Sequence, residues 1–258
     1  MSDREKTTNQ FDFSHSEHCI LSIRLKADGF SFFVFDTQES KKYSYELKTD
    51  SSLSLTANLK KVFQNEEFIT KPYLQKRVIY AGLRYILLPL ELFEDEQKEI
   101  LFYHSHIKKD NEIIKYDIIK DSNLVVLYAM DTSTHKFLNE WDQEVSIQSQ
   151  LSLLIEKLST INKSSQQKQM FVDIQKNRVS IYSFEKGNLL ANNSFTIQSF
   201  DDVLYYSLYL WKQLDFDQLE DELLILKESD KEQSVFPEFK KYLNNIDFLS
   251  MNRLFDLN

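Results

Sequence analysis

A chain of 258 residues, 42% hydrophobic and 14% aromatic, can bury a real core as one large domain or two modest ones. A formal net charge of −9 excludes a general phosphate-backbone binder, and no run approaches the roughly 18 apolar residues of a membrane span. Cys19 is the only cysteine, which excludes an intramolecular disulfide framework, and the polar first ten residues lack a secretory core, so a cytoplasmic location is expected.

Residues 1–18 read as a flexible tail, with Phe11 and Phe13 placed to dock on the body. Residues 19–26 read as a strand, and Asp28-Gly29 marks a hairpin turn. Residues 30–35 form an almost wholly apolar strand, and 41–47 alternate Tyr43, Tyr45 and Leu47 as a half-exposed one. Ser51 or Ser52 is the expected cap of a helix carrying Leu53, Leu55, Leu59, Val62 and Phe63. Short strands follow at 77–81 and 85–88, then a helix over 93–103. Residues 112–119 and 123–130 pair as a hairpin. Asp131 or Thr132 caps a helix with Phe137, Leu138 and Trp141, and 147–161 reads as helical throughout. The polar 162–168 segment is the expected linker.

The second half opens on strands at 170–174, 179–184 and 189–197. Ser199 and Asp202 then start a helix carrying Val203, Leu204, Leu208, Trp211 and Leu214. A buried strand at 222–227, a helix at 236–242 and a last strand at 246–249 complete the chain. Segments 20–66 and 169–215 therefore share one layout, three meandering strands and a helix. They align without gaps at an offset of 149, which sets Ser31 on Ser180. A crossover helix returns each meander to a parallel neighbour, which is the ribonuclease-H-like arrangement. The predicted division is a tail at 1–18, one half at 19–162 and another at 163–258.

On this pattern, most specific in 170–214, the chain from about residue 15 onward resembles a Bacteroidetes-type bacterial family of unknown function. That family has an actin-like ATPase fold, so the resemblance implies an α/β protein of two ribonuclease-H-like halves around a cleft. In active relatives each half offers a Gly-rich hairpin to the nucleotide phosphates. A carboxylate at the end of its first strand manages Mg²⁺ and water. Here Asp173 matches that carboxylate, with Val179 at the following hydrophobic position, but Gln175 fills the glycine position. The first-half equivalent of Asp173 is Arg24. The late Gly-Gly turn is replaced by Lys227-Glu228-Ser229-Asp230.

Glycine itself is scarce. Gly29, Gly82 and Gly187 are the full set, where average usage of about 7% would give roughly 18. Phosphate cradles need glycine so that backbone can approach the anion. The candidate cleft or ligand-binding residues are therefore Arg24, Asp173, Lys176, Arg178 and Ser229, with no catalytic residue and no metal ligand. Arg24, Lys26, Lys176 and Arg178 could hold an anion without glycines if they share a cleft. The plainer readings are a solvated strand residue for Arg24 and an exposed, turn-capping aspartate for Asp173. His15, His18 and Cys19, and also His104 and His106, are metal-ligand types without a full ligand set; the histidines read as surface groups and Cys19 as a small buried hydrophobe at the head of its strand. Tyr205, Tyr206, Tyr209 and Trp211 read as core with a wet rim. Joint exposure of Tyr205 and Tyr209 would mark a protein-binding face.

The expected function is a non-catalytic cytoplasmic binding or scaffold protein with no cofactor. A protein partner is expected, and no direct nucleic-acid or membrane contact. One alternative is a diverged ATPase with Mg-ATP between the halves, held by Asp173 and faced by Arg24 or Lys176. Another is an actin-like self-assembling protein.

Overall fold

The computed structural model describes residues 11–39, 41–227 and 236–255. The chain divides into two compact units, one running to Ser152 and the other from Leu153.

The first unit opens with β1 (Cys19–Leu25), β2 (Gly29–Asp36) and β3 (Lys42–Lys48), followed by α1 (Leu55–Asn65) and β4 (Gln75–Tyr80). An inserted segment then builds β5 (Tyr85–Pro89), α2 (Lys98–Ser105), β6 (Glu112–Ile119) and β7 (Leu124–Asp131). The unit closes with α3 (Thr132–Trp141), β8 (Ser146–Ser149) and the start of α4 (Gln150–Lys163). Its main sheet has the order β3-β2-β1-β4-β8. The meander is antiparallel, and β4 and β8 are parallel to β1. Cys19, Leu21, Ile23 and Leu25 alternate along β1 onto one face, each no more than 1% exposed. Leu59 of α1 and Leu138 of α3 cover that face, and Phe63 packs edge-on against Trp141 with ring centres 4.9 Å apart. The insert is a separate antiparallel sheet, β5-β7-β6, whose core takes Phe102 from α2.

The second unit contains β9 (Gln169–Gln175), β10 (Arg178–Glu185), β11 (Asn188–Thr196) and α5 (Phe200–Gln213). It continues through β12 (Glu222–Lys227), α6 (Phe236–Phe239), β13 (Asn245–Ser250) and α7 (Met251–Phe255). Its sheet order is β11-β10-β9-β12-β13, again an antiparallel meander followed by parallel strands. Both sheets thus have the strand order and sense of the expected ribonuclease-H-like layout. At the start of α5 the Asp202 carboxylate accepts the N–H groups of Gln198 (2.7 Å) and Ser199 (3.0 Å), which hold its pKa below the ordinary value.

Several details differ from the sequence reading. The cap of α1 is Ser54, whose Oγ accepts from Ala57 N–H at 3.1 Å. Ser52 instead donates its N–H and hydroxyl to Asp50 Oδ1, at 3.0 and 2.6 Å, and that turn delays the helix. The helix expected from Phe93 starts at Lys98, because Phe93 is extended and packs on Tyr116, ring centres 4.7 Å apart. The helix expected from Ile147 starts at Gln150, because Ile147 is drawn into β8 opposite Val78. Phe11 and Phe13 do dock on the first core, and a helical turn covers Phe13–His18.

The turn between β10 and β11 puts Lys186 at φ 51° and Gly187 at φ 81°, left-handed values suited to a two-residue hairpin. Helix α4 fixes it, since Gly187 N–H donates to Asn162 Oδ1 (2.8 Å) and Ser159 Oγ donates to Gly187 O (2.6 Å). A Cβ at Gly187 would meet the Lys163 side chain. Gly187→Ala should therefore cost about 1–3 kcal/mol, read as a lower urea midpoint with unchanged slope.

Candidate functional site

Arg24 and Asp173 occupy the same place in the two sheets. Arg24 lies on β1 opposite Ser31 of β2 and Ile79 of β4. Asp173 lies on β9 opposite Ser180 of β10 and Leu226 of β12. Each strand is central in its sheet, so its residues lose water on both flanks. Arg24 is 2% exposed and Asp173 4%, which corrects the reading of both as solvated. Burying charge is costly unless hydrogen bonds offset it. Arg24 Nε donates to Gln150 Oε1 at 2.7 Å, and the Asp173 carboxylate accepts from Gln175 Nε2 at 2.9 Å. The side chain at the expected glycine position thus serves the aspartate.

The remaining candidates are more dispersed. Lys176 is exposed in the β9–β10 turn, and Arg178 is half-buried at the head of β10. Ser229 lies outside the described residues, as do Glu228 and Asp230. In the first unit the β1–β2 turn is tied to the end of β3. Thr49 donates its hydroxyl to Ala27 O and its N–H to Asp28 O, both at 3.1 Å. A Cβ on Gly29 would lie 2.6 Å from Leu47 O, so this glycine lets β2 approach β3.

A cavity of about 410 Å³ opens at the carboxyl ends of β1 and β4, the end of a parallel sheet where ligands bind. Leu25, Leu53, Leu55 and Tyr80 supply its apolar wall, and Lys26 and Asp50 its charges. The loop above it is pinned by Asn58, itself 6% exposed. Asn58 Nδ2 donates to the carbonyls of Asp50 (3.0 Å), Leu53 (3.3 Å) and Ser54 (3.1 Å). Its Oδ1 accepts Asp50 N–H at 2.8 Å. Such a cavity suits an apolar body with a polar tip. Hydropathy scores Asn58 as a surface helix position, and only the Asp-Ser-Ser run before the helix hinted at an ordered loop.

Among the described residues no group of three or more His, Cys, Asp and Glu side chains could hold an ion. Cys19 is buried, which pushes its thiol up to about 11 and makes it a poor nucleophile. His106 packs on Phe102, and its Nε2 lies 3.1 Å from Tyr85 O.

The sequence reading also missed Asp117 of β6. Its Oδ2 accepts Ser149 N–H (2.7 Å) and Ser152 Oγ–H (2.6 Å), joining the inserted sheet to the start of α4. Burial raises its pKa, against the opposing pull of those two donors. An aspartate between Tyr116 and Ile118 in an otherwise largely apolar strand was the available signal.

Residues 8–246 match a family described as "Protein of unknown function (DUF3822)". A solved protein from Bacteroides thetaiotaomicron, described as having an actin-like ATPase fold and unknown function, is 40% identical. The match covers 93% of this chain and 94% of that one, with a TM-score of 0.85. A chain of the PilM–PilN type IV pilus biogenesis complex matches at 11% identity and a TM-score of 0.57, over 89% of this chain and 88% of that one. That second likeness concerns the fold alone. No curated protein matches in sequence.

Asn58→Asp removes the donor to three carbonyls and should cost about 1–3 kcal/mol, with faster hydrogen exchange in residues 50–54. For Asp117 the folded pKa is raised, so its stabilisation is present below the unfolded aspartate pKa and is lost as pH rises through the folded value. Asp117→Asn keeps an acceptor for both donors without that titration. Urea midpoints taken upward from about pH 4 should therefore show wild type losing stability relative to the variant.

Proposed function

Starting from the fact that the chain belongs to the DUF3822 family and has an actin-like ATPase fold, we propose that it is a non-catalytic binding or scaffold protein. The observation that carries this reading is Arg24. A guanidinium stands where the first half of an active relative would place its metal-managing carboxylate, and it is buried and hydrogen-bonded to Gln150. A cation there opposes Mg²⁺ by charge. The two turns also fit phosphate poorly. The first directs its Ala27 and Asp28 carbonyls to Thr49, and the second is Lys176-Asn177 with no glycine. The residues present do not suit a Mg-nucleotide.

What the fold retains is a platform. The cavity beside Asn58, with Leu53 (40% exposed) and Leu83 (53%) on its lining, gives the first unit a surface for a protein partner. The shared strand order and the 149-residue offset support an origin of the two units by internal duplication, followed by loss of nucleotide chemistry. No helix among the described residues is long and apolar enough to cross a membrane, and a cytoplasmic setting belongs to the same proposal.

The test is a thermal-shift titration with Mg-ATP on wild type and Asp173→Asn, paired with a phosphate-release assay. Binding to the native state must raise the melting temperature by mass action. We expect no shift at millimolar Mg-ATP and no release from either protein. A saturable rise in wild type that Asp173→Asn abolishes would establish a nucleotide site and overturn the proposal.

A further inference from the structure

Arg77 is a cation that the fold does not answer. It lies on β4 between Ser22 of β1 and Ser146 of β8. It has no hydrogen-bond or ion-pair partner among the described residues, and its Nε is buried and unpaired. Its neighbour Ser22 is 0% exposed, and the Oγ is likewise buried without a partner. Burial alone lowers the Arg77 pKa from its ordinary value. A desolvated guanidinium is costly unless a carboxylate or fixed dipoles compensate it. Other part-buried cations of the same unit have that compensation. Lys76 Nζ lies 2.7 Å from Asp142, and Arg84 donates to Glu112 at 2.7 Å.

The sheet explains why Arg77 differs. Strands β1, β4 and β8 contain no Asp or Glu. Arg77 shares its face with Ser22, Arg24, Gln75, Ile79 and Gln148. Glu46 is on that face too, but it stands on β3, three strand spacings or about 14 Å from β4. It accepts from Ser31 Oγ at 3.1 Å. The amino end of this face is accessible. Gln75 opens β4 and Ser146 opens the edge strand β8, and both are exposed. Arg77 as a whole is half-buried, and Nε is the nitrogen of it that is closed off, which leaves the terminal nitrogens within reach of a solute.

We propose that Arg77 anchors a carboxylate-binding site at the amino end of β4 and β8. Charge favours carboxylate over phosphate. One guanidinium balances one negative charge, whereas a phosphate group brings about −1.5 to −2 into a part-desolvated place. Arg24, on the same face, already donates to Gln150. Shape agrees, because the terminal N–H groups of arginine form a planar fork that matches the two oxygens of a carboxylate. Gln75 and Ser146 add neutral donors at the rim. The cavity beside Asn58 lies at the opposite, carboxyl end of β1 and β4, so this site does not depend on the reading of that cavity.

The test is a thermal-shift titration of the full chain with sodium acetate, with sodium chloride keeping the ionic strength constant. A saturable rise in melting temperature is expected. Arg77→Gln removes the charged fork and should weaken the acetate response at least about tenfold. Arg77→Lys keeps the charge without the fork and should weaken it as well. Without acetate, Arg77→Gln should melt at or above wild type, since it removes a charge that the fold leaves uncompensated. A capped Gly-Glu-Gly peptide, with one carboxylate per molecule, identifies the source. Saturation below the acetate concentration assigns the carboxylate to a protein partner, and saturation above it assigns a free acid. No rise with acetate or peptide, or a rise undiminished in Arg77→Gln or Arg77→Lys, would overturn the proposal. An equal rise with phosphate would overturn it too, as would Arg77→Gln melting well below wild type, which would make Arg77 a structural residue.

Discussion

A strand with hydrogen-bonded neighbours on both sides and packing on both faces keeps most of its side chains out of water. β1 and β9 hold that position, and the chemistry of the molecule follows from it. Cys19, Leu21, Ile23 and Leu25 satisfy the constraint on one face simply by being apolar. The other face carries Ser22 and Arg24, and its counterpart in the second sheet carries Asp173. At such places a charged group must be met by fixed dipoles or by a bound ligand. The Gln150 amide meets Arg24 and the Gln175 amide meets Asp173, so groups of the chain itself occupy positions where a nucleotide site would hold ligand-directed chemistry.

The same economy governs the turns. A phosphate-binding hairpin points N–H groups outward and needs glycine for its backbone to do so. In the β1–β2 turn the carbonyls of Ala27 and Asp28 are committed to Thr49, and the neighbouring Gly29 makes room for Leu47 O. Gly187 serves left-handed geometry in a hairpin held by Asn162 and Ser159. Both glycines answer local steric demands, and neither is left to approach an anion.

The architecture was legible where periodicity was strong. The strands Glu112–Ile119 and Glu222–Lys227 match the sequence reading to the residue, since each is an apolar run bounded by polar turns. β8 was hidden because four residues are too few for alternation to register, and Ile147 also fits the helical spacing of Leu151 and Leu154. The cap of α1 slipped because three serines compete near one helix start, and Asp50 decides which of them is spent on a turn. Arg24 and Asp173 hold matching strand positions, but the sequence reads them as wet. Hydropathy assigns exposure by residue type, whereas their burial is set by strand neighbours far away in sequence, such as Ile79 and Leu226. Asn58 and Asp117 share that limit, because their partners are backbone and hydroxyl groups that no side-chain pattern encodes.

Two sheets of one order need not keep one set of edges. In β3 the outward charges Lys42, Glu46 and Lys48 oppose lateral pairing, at the cost of a strand that packs only Tyr43, Tyr45 and Leu47 against the core. β11 gives up that protection and keeps Asn192, Asn193 and Ser194 mid-strand, residues of low β propensity that add little to core packing. The two outer edges thus differ in charge, and Tyr205 and Tyr209 of α5 stand exposed in the unit whose outer edge is uncharged.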